Sequence, residues 1–191
     1  QDDGVIDDRW VVRKVIRDTG WGLEGGWIQP ADPHGAQGFD PVLLDTSDLS
    51  KLRIPEVVYQ QELSESAFQQ IGDLVGDKLR VSLEGIKHIS FHLMSQLTEL
   101  RGLEQVMLDF YLEPQFLHDA MSFLEEAHHQ LLEQYFQGRL LSLNNDNTYT
   151  SSGGNGFTSQ LPGPGFDPDQ VKPGDLWASA ESQELAQVSP E

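Results

Sequence analysis

The sequence predicts an α/β protein with a parallel sheet, and three features carry that prediction. Residues 79–83 alternate Leu79, Val81 and Leu83 with Arg80 and Ser82, the period of two that marks a strand. Residues 114–136 place Leu117, Met121, Leu124, His128, Leu131 and Tyr135 at helical spacing. They open on Pro114, which suits a first helical turn, and Gly138 stops them. In order, the chain reads helix, strand, helices, strand, long loop and strand, the layout of crossover units in a parallel sheet. Open doubly wound sheets and (β/α)8 barrels both satisfy this pattern.

The remaining elements follow from the N-terminus. Residues 10–16 hold Val11, Val12, Val15 and Ile16 among basic side chains, a run too short for periodicity to choose between strand and helix. Residues 19–26 (TGWGLEGG) pack four glycines around Trp21, a turn signal, and residues 27–41 read as loop. Residues 45–52 predict a short helix capped by Asp45 or Ser47 and ended by Pro55. Ser64 or Ser66 suits the cap of a helix to Val75, whose apolar face carries Phe68, Ile71, Leu74 and Val75. Two further helices, 91–100 and 103–112, are separated by Arg101 and Gly102. Residues 140–143 (LLSL) and 176–178 read as short strands around a Gly/Pro-rich loop, 144–174. Val188, Ser189, Pro190 and Glu191 spell a helix start, so a piece of a longer polypeptide is expected.

Composition narrows the function. The chain has 191 residues, 12 Lys and Arg against 31 Asp and Glu, and a formal charge of −19. With glycine counted and tyrosine left out, the apolar share is about 45%, an ordinary globular value. So acidic a surface repels phosphate backbones and anionic lipid, so neither nucleic acid nor a membrane is an expected partner. No cysteine is present, which removes thiol nucleophiles and zinc thiolates from this stretch. With no membrane span or signal peptide in view, a cytoplasmic protein is expected.

Three blocks resemble the uroporphyrinogen decarboxylase-like superfamily: residues 109–118 (DFYLEPQFLH), residues 140–146 (LLSLNND) with the glycine loop beyond, and residues 175–191 (DLWASAESQELAQVSPE). The TGWG, LSLNN and SGG segments point to a branch related to the corrinoid methyltransferases. The resemblance implies a (β/α)8 TIM barrel, of which residues 1–191 are a partial, central portion, with 144–174 a loop within it. It also implies an active site at the C-terminal ends of the strands. Members decarboxylate uroporphyrinogen without a cofactor, or move methyl groups between corrinoid proteins and small acceptors using zinc.

Uroporphyrinogen carries eight carboxylates and demands arginines, and this chain has no arginine-rich motif. Corrinoid-linked methyl transfer on a small molecule is therefore expected ahead of uroporphyrinogen decarboxylation. A corrinoid protein is the expected partner, and a homodimer is compatible. No cofactor is expected within this chain, and zinc would need ligands beyond Glu191. The alternatives are a true uroporphyrinogen decarboxylase, or a barrel that binds a ligand or partner without catalysis.

Candidate site residues sit after strand segments. Asn144, Asn145, Asp146 and Tyr149 follow 140–143, with Asp146 suited to general acid/base work and the others to substrate contact. Simple turn chemistry is the competing account. Trp177, Glu181 and Gln183 follow the last strand, offering an aromatic wall, a second acid/base carboxylate and an amide. They equally suit a packing tryptophan and a solvated glutamate. Glu84 holds the analogous position after residues 79–83, and Trp21 suits a pocket wall or loop packing. His88 and His92 are four apart, a metal-compatible helical spacing without a third ligand, so no metal site is expected. Residues 152–156 (SGGNG) suit an anion cradle, a lid or a turn.

Overall fold

Strands β1 (Arg9–Arg13) and β2 (Ile16–Asp18) open the chain in the computed structural model, which describes residues 7–146, 148–151, 154–155, 157–186 and 188. There follow β3 (Gly26–Ile28), β4 (Gly38–Asp40), a 3-10 turn (Thr46–Lys51), β5 (Val57–Tyr59), α1 (Gln61–Val75), β6 (Arg80–Glu84) and β7 (Ile89–Ser90). Then come α2 (Leu93–Arg101), α3 (Leu103–Leu112) and α4 (Pro114–Gln137). After them lie β8 (Tyr149–Ser151), β9 (Gly154–Asn155), a 3-10 turn (Pro173–Asp175), β10 (Ala178–Ser179) and a last 3-10 turn (Gln183–Leu185). The class is mixed α/β, and each sheet among the described residues has two strands. The expected α/β class is thus present, and no closed sheet forms among the described residues. No helix among the described residues is long and apolar enough to cross a membrane. The chain divides into two units, Gln1–Asp18, Glu56–Ser90 and Leu132–Ser179 forming the first, and Thr19–Pro55, Phe91–Leu131 and Ala180–Glu191 the second.

In the first unit the predicted parallel pairing is present. β1 lies parallel to β6, from Arg9 opposite Arg80 to Arg13 opposite Glu84, which settles the ambiguous 10–16 run as strand. β7 lies parallel to β10, and Ile86 forms a parallel bridge with Leu141. At the 140–143 segment Ile86 N–H donates to Leu140 O at 2.7 Å, Ser142 N–H to Ile86 O at 2.9 Å, and Gly85 N–H to Ser142 Oγ at 2.8 Å. Gly85 permits the approach, since a Cβ there would lie 1.8 Å from Leu140 O. β2 and β5 pair antiparallel, and three residues each are too few to show in sequence. Helix α1 starts at Gln61, earlier than a Ser64 cap would place it. The buried Ser64 hydroxyl donates instead to Gln60 O and accepts from Val15 N–H, both at 2.8 Å. Val12, Ile89, Leu140, Leu141 and Leu176 supply buried apolar surface.

The second unit is built on Leu43, Leu52, Met94, Leu97, Leu100, Val106, Phe116 and Leu124, each buried. A fully buried side chain of this size contributes about 1.5–3 kcal/mol. Helices α2 and α3 match the expected pair because Gly102 (φ 86°) turns the chain between them. In α4, Phe116, Leu117, Ala120, Leu124 and Ala127 form the buried stripe. Asp45 caps the Thr46–Lys51 turn as expected, accepting Ser47 N–H at 2.8 Å. Arg101 is buried with Asp109, Nε 2.8 Å from Oδ2, and also donates to Leu43 O at 2.7 Å. The expected loop 27–41 contains a hairpin, β3 with β4, where Trp27 and Phe39 rings meet at 4.8 Å.

Candidate functional site

A charged site forms in the first unit from segments far apart in sequence. Glu84 ends β6, Lys87 follows three residues on, Arg9 starts β1, and Asp146 lies just after the 140–143 segment. Lys87 Nζ donates to Asp146 Oδ2 at 3.0 Å and to Thr148 Oγ1 at 3.1 Å, and stands 2.5 Å from Glu84 Oε2. The Glu84 oxygen is buried and lacks a well-angled hydrogen bond, so the lysine neutralises it as a close ion contact. Arg9 sets Nη2 3.3 Å from Asp146 Oδ2 and Nη1 3.7 Å from Glu84 Oε1. Ser82 Oγ donates to Glu84 Oε1 at 3.0 Å. Arg9 Nε also pairs with Asp7 Oδ2 at 2.7 Å, so two cations and three carboxylates interlock.

Burial alone would push the Asp146 carboxyl upward. The Thr148 hydroxyl, the Lys87 ammonium and the Thr148 N–H outweigh it and lower the group from 3.8 to about 2. At neutral pH Asp146 is therefore a carboxylate. It can accept a proton or hold a developing positive charge, but it has no proton to donate.

Two open clefts meet at this site. One of about 720 Å³ is lined by Arg9, Lys14, Glu84, Lys87, Arg139 and Asp146 among others. The other, about 590 Å³, shares Lys14, Glu84 and Lys87 and adds Arg13, His88 and Thr148.

Of the residues expected from sequence, Glu84 and Asp146 come together here. Asn144 lies beneath, buried, its Nδ2 donating to Lys87 O at 2.7 Å and Trp177 O at 2.9 Å while Oδ1 accepts Trp177 N–H at 2.9 Å. Asn145, which also lines the larger cleft, donates Nδ2 to Thr158 O and Leu161 O and accepts from Thr158 N–H and Trp177 Nε1. These two amides tie the segments after the strands together, and Trp177 rests on both. Tyr149 pairs with Asn155 through the backbone, while its side chain lies outside the described residues. So do Ser152, Gly153 and Gly156 of the glycine loop and Ser189–Glu191 of the expected helix start.

Trp21, Glu181 and Gln183 belong to the second unit. Trp21 packs on that unit's core with its ring 5.3 Å from His128. Glu181 Oε1 is 3.6 Å from His92 Nδ1, and Gln183 is exposed at the start of a 3-10 turn. His88 and His92 do not share a helix face, because β7 intervenes and α2 begins only at Leu93. Among the described residues no three His, Asp or Glu side chains converge as a metal set.

Sequence reasoning missed Lys87, Thr148 and the cations Arg9, Arg13, Lys14 and Arg139. The one available signal was Lys87, set three residues after a strand-ending Glu84. No known family model, curated protein or solved structure matches the chain.

Proposed function

We propose that this chain supplies the substrate-facing part of an enzyme of uroporphyrinogen decarboxylase type, a (β/α)8 barrel acting on a small molecule at its strand ends. The supporting observation is the Arg9–Glu84–Lys87–Asp146 quartet in an open cleft of about 720 Å³. The parallel register of β1 with β6 and the Ile86–Leu141 bridge accord with consecutive barrel strands. A cytoplasmic setting accords with the cysteine-free composition.

Corrinoid-linked methyl transfer is preferred to uroporphyrinogen decarboxylation on charge. The two clefts are lined by five Lys and Arg and by Glu84, Asp146 and Asp169, a surplus of two positive charges. That surplus suits one or two anionic groups, not eight. In this reading Asp146 stays ionised beside the reacting atoms and takes up a proton or steadies positive charge, while Arg9 and Lys87 hold its orientation. Among the described residues no three His, Asp or Glu side chains converge to hold a zinc ion.

The test incubates the purified protein with methylcobalamin and small thiol acceptors, following loss of the methylcobalamin absorbance, and separately with uroporphyrinogen, following products by chromatography. Demethylation that Asp146→Asn abolishes supports the proposal. Conversion of uroporphyrinogen alone, or no turnover of either substrate, counts against it.

A further inference from the structure

Arg9 and Lys87 are matched by Glu84 and Asp146, but the neighbouring cations are not. Lys14 Nζ, half-buried, donates to Arg139 O at 2.8 Å and stands 5.7 Å from the Tyr59 ring centroid. Arg13 is exposed at the end of β1 on the rim of the smaller cleft. Among the described residues no ion pair joins Arg13 or Lys14 to a carboxylate. In a chain of charge −19, where acids outnumber bases 31 to 12, two adjacent cations left unmatched in one cleft stand out. A half-buried ammonium without a counter-charge carries a desolvation cost that a bound anion would relieve.

We infer that Arg13 and Lys14 form an anchoring subsite for an oxyanion of the substrate, a carboxylate or a phosphate. The charge-paired cluster of Arg9, Glu84, Lys87 and Asp146 beside it is then left to face the reacting end. Arg13 offers a planar fork and Lys14 a point charge, each able to hold an oxyanion in the cleft that both line. The Lys87 ammonium, already engaged by Glu84, Asp146 and Thr148, holds the boundary between anchor and reaction zone. This inference rests on reading the cleft as a substrate site. Its test measures binding without turnover, so it can succeed where the methyl-transfer reading fails.

The probes are succinate and inorganic phosphate, each titrated calorimetrically into the full chain in chloride buffer. Saturable binding of at least one is expected, and the one bound identifies the source of the oxyanion. Lys14→Met and Arg13→Gln, singly and combined, should weaken it, the pair by at least about tenfold, since each charge-assisted hydrogen bond is worth that much or more. Lys14→Arg should restore most of the affinity, and Lys51→Met, on the other unit, should leave it unchanged. Arg13→Gln, on an exposed side chain, keeps the test open if Lys14→Met fails to fold. No saturable heat with either anion, equal affinity in the double variant, or an equal loss in Lys51→Met overturns the inference.

Discussion

Replacing Asp146 by asparagine tests the electrostatics of the site in a way that pH can dissect. The folded protein lowers this carboxyl from 3.8 to about 2. At 1.36 kcal/mol per unit this corresponds to about 2.4 kcal/mol, and screening in an open cleft brings the expectation to about 1–2 kcal/mol. The sign follows from the direction. A depressed carboxyl stabilises the native state fully above its unfolded value, and the contribution fades as pH falls through the folded one. About half should remain at pH 3. Urea unfolding of the native chain and Asp146→Asn, followed by tryptophan fluorescence from pH 7 to pH 3, should show a gap of about 1–2 kcal/mol at neutrality. That gap should be halved at the acid end. A gap that stays flat across the range would mean that Asp146→Asn acts through packing, and the charge argument would fail.

Other substitutions probe the framework. Asp109→Asn leaves the Arg101 guanidinium buried without its counter-ion and should cost about 3–5 kcal/mol, read as a lower urea midpoint, with Arg101→Met/Asp109→Leu recovering much of the loss. Asn144→Ala orphans Lys87 O, Trp177 O and Trp177 N–H and should cost about 3 kcal/mol, visible as a lowered melting temperature and a shifted Trp177 emission. Gly85→Ala forces a Cβ against Leu140 O and should open the Ile86–Leu141 bridge, seen as faster amide exchange at Ile86 and Ser142. Unchanged exchange would show that the bridge absorbs the added Cβ, and the close-approach argument would fail.

What the sequence made legible was whatever local rules control. Helix α3 spans residues 103–112 as expected because Gly102 and Pro114 bracket it, and β6 was legible from its alternation of apolar and polar residues. Helix α4 ends close to Gly138, although the residue that takes positive φ is Arg139, at 52°. The hairpin of β3 and β4 was hidden by the glycine and proline density around it. Glu84 and Asp146 were legible as polar residues after strand segments. Their partners were not, because Arg9 and Asp146 stand 137 residues apart and only the tertiary register brings them together. Asn144 shows the limit in another form, since a run of Asn and Asp reads the same whether its amides face a ligand or, as here, cross-link backbone.

The unmatched cations at the end of β1 also bear on which solutes reach the cleft. Screening in physiological salt confines electrostatic influence to about 8 Å. A long polyanion must lay most of its length along a surface dominated by carboxylates, so it is turned away before any part of it reaches Arg13. A metabolite with one or two charges that reaches the mouth meets Arg13 and Lys14 at close range, beside a cluster whose charges are already paired. If Arg13 and Lys14 hold an anion, size selection would need no steric gate, and raising the ionic strength should weaken both the exclusion and the capture.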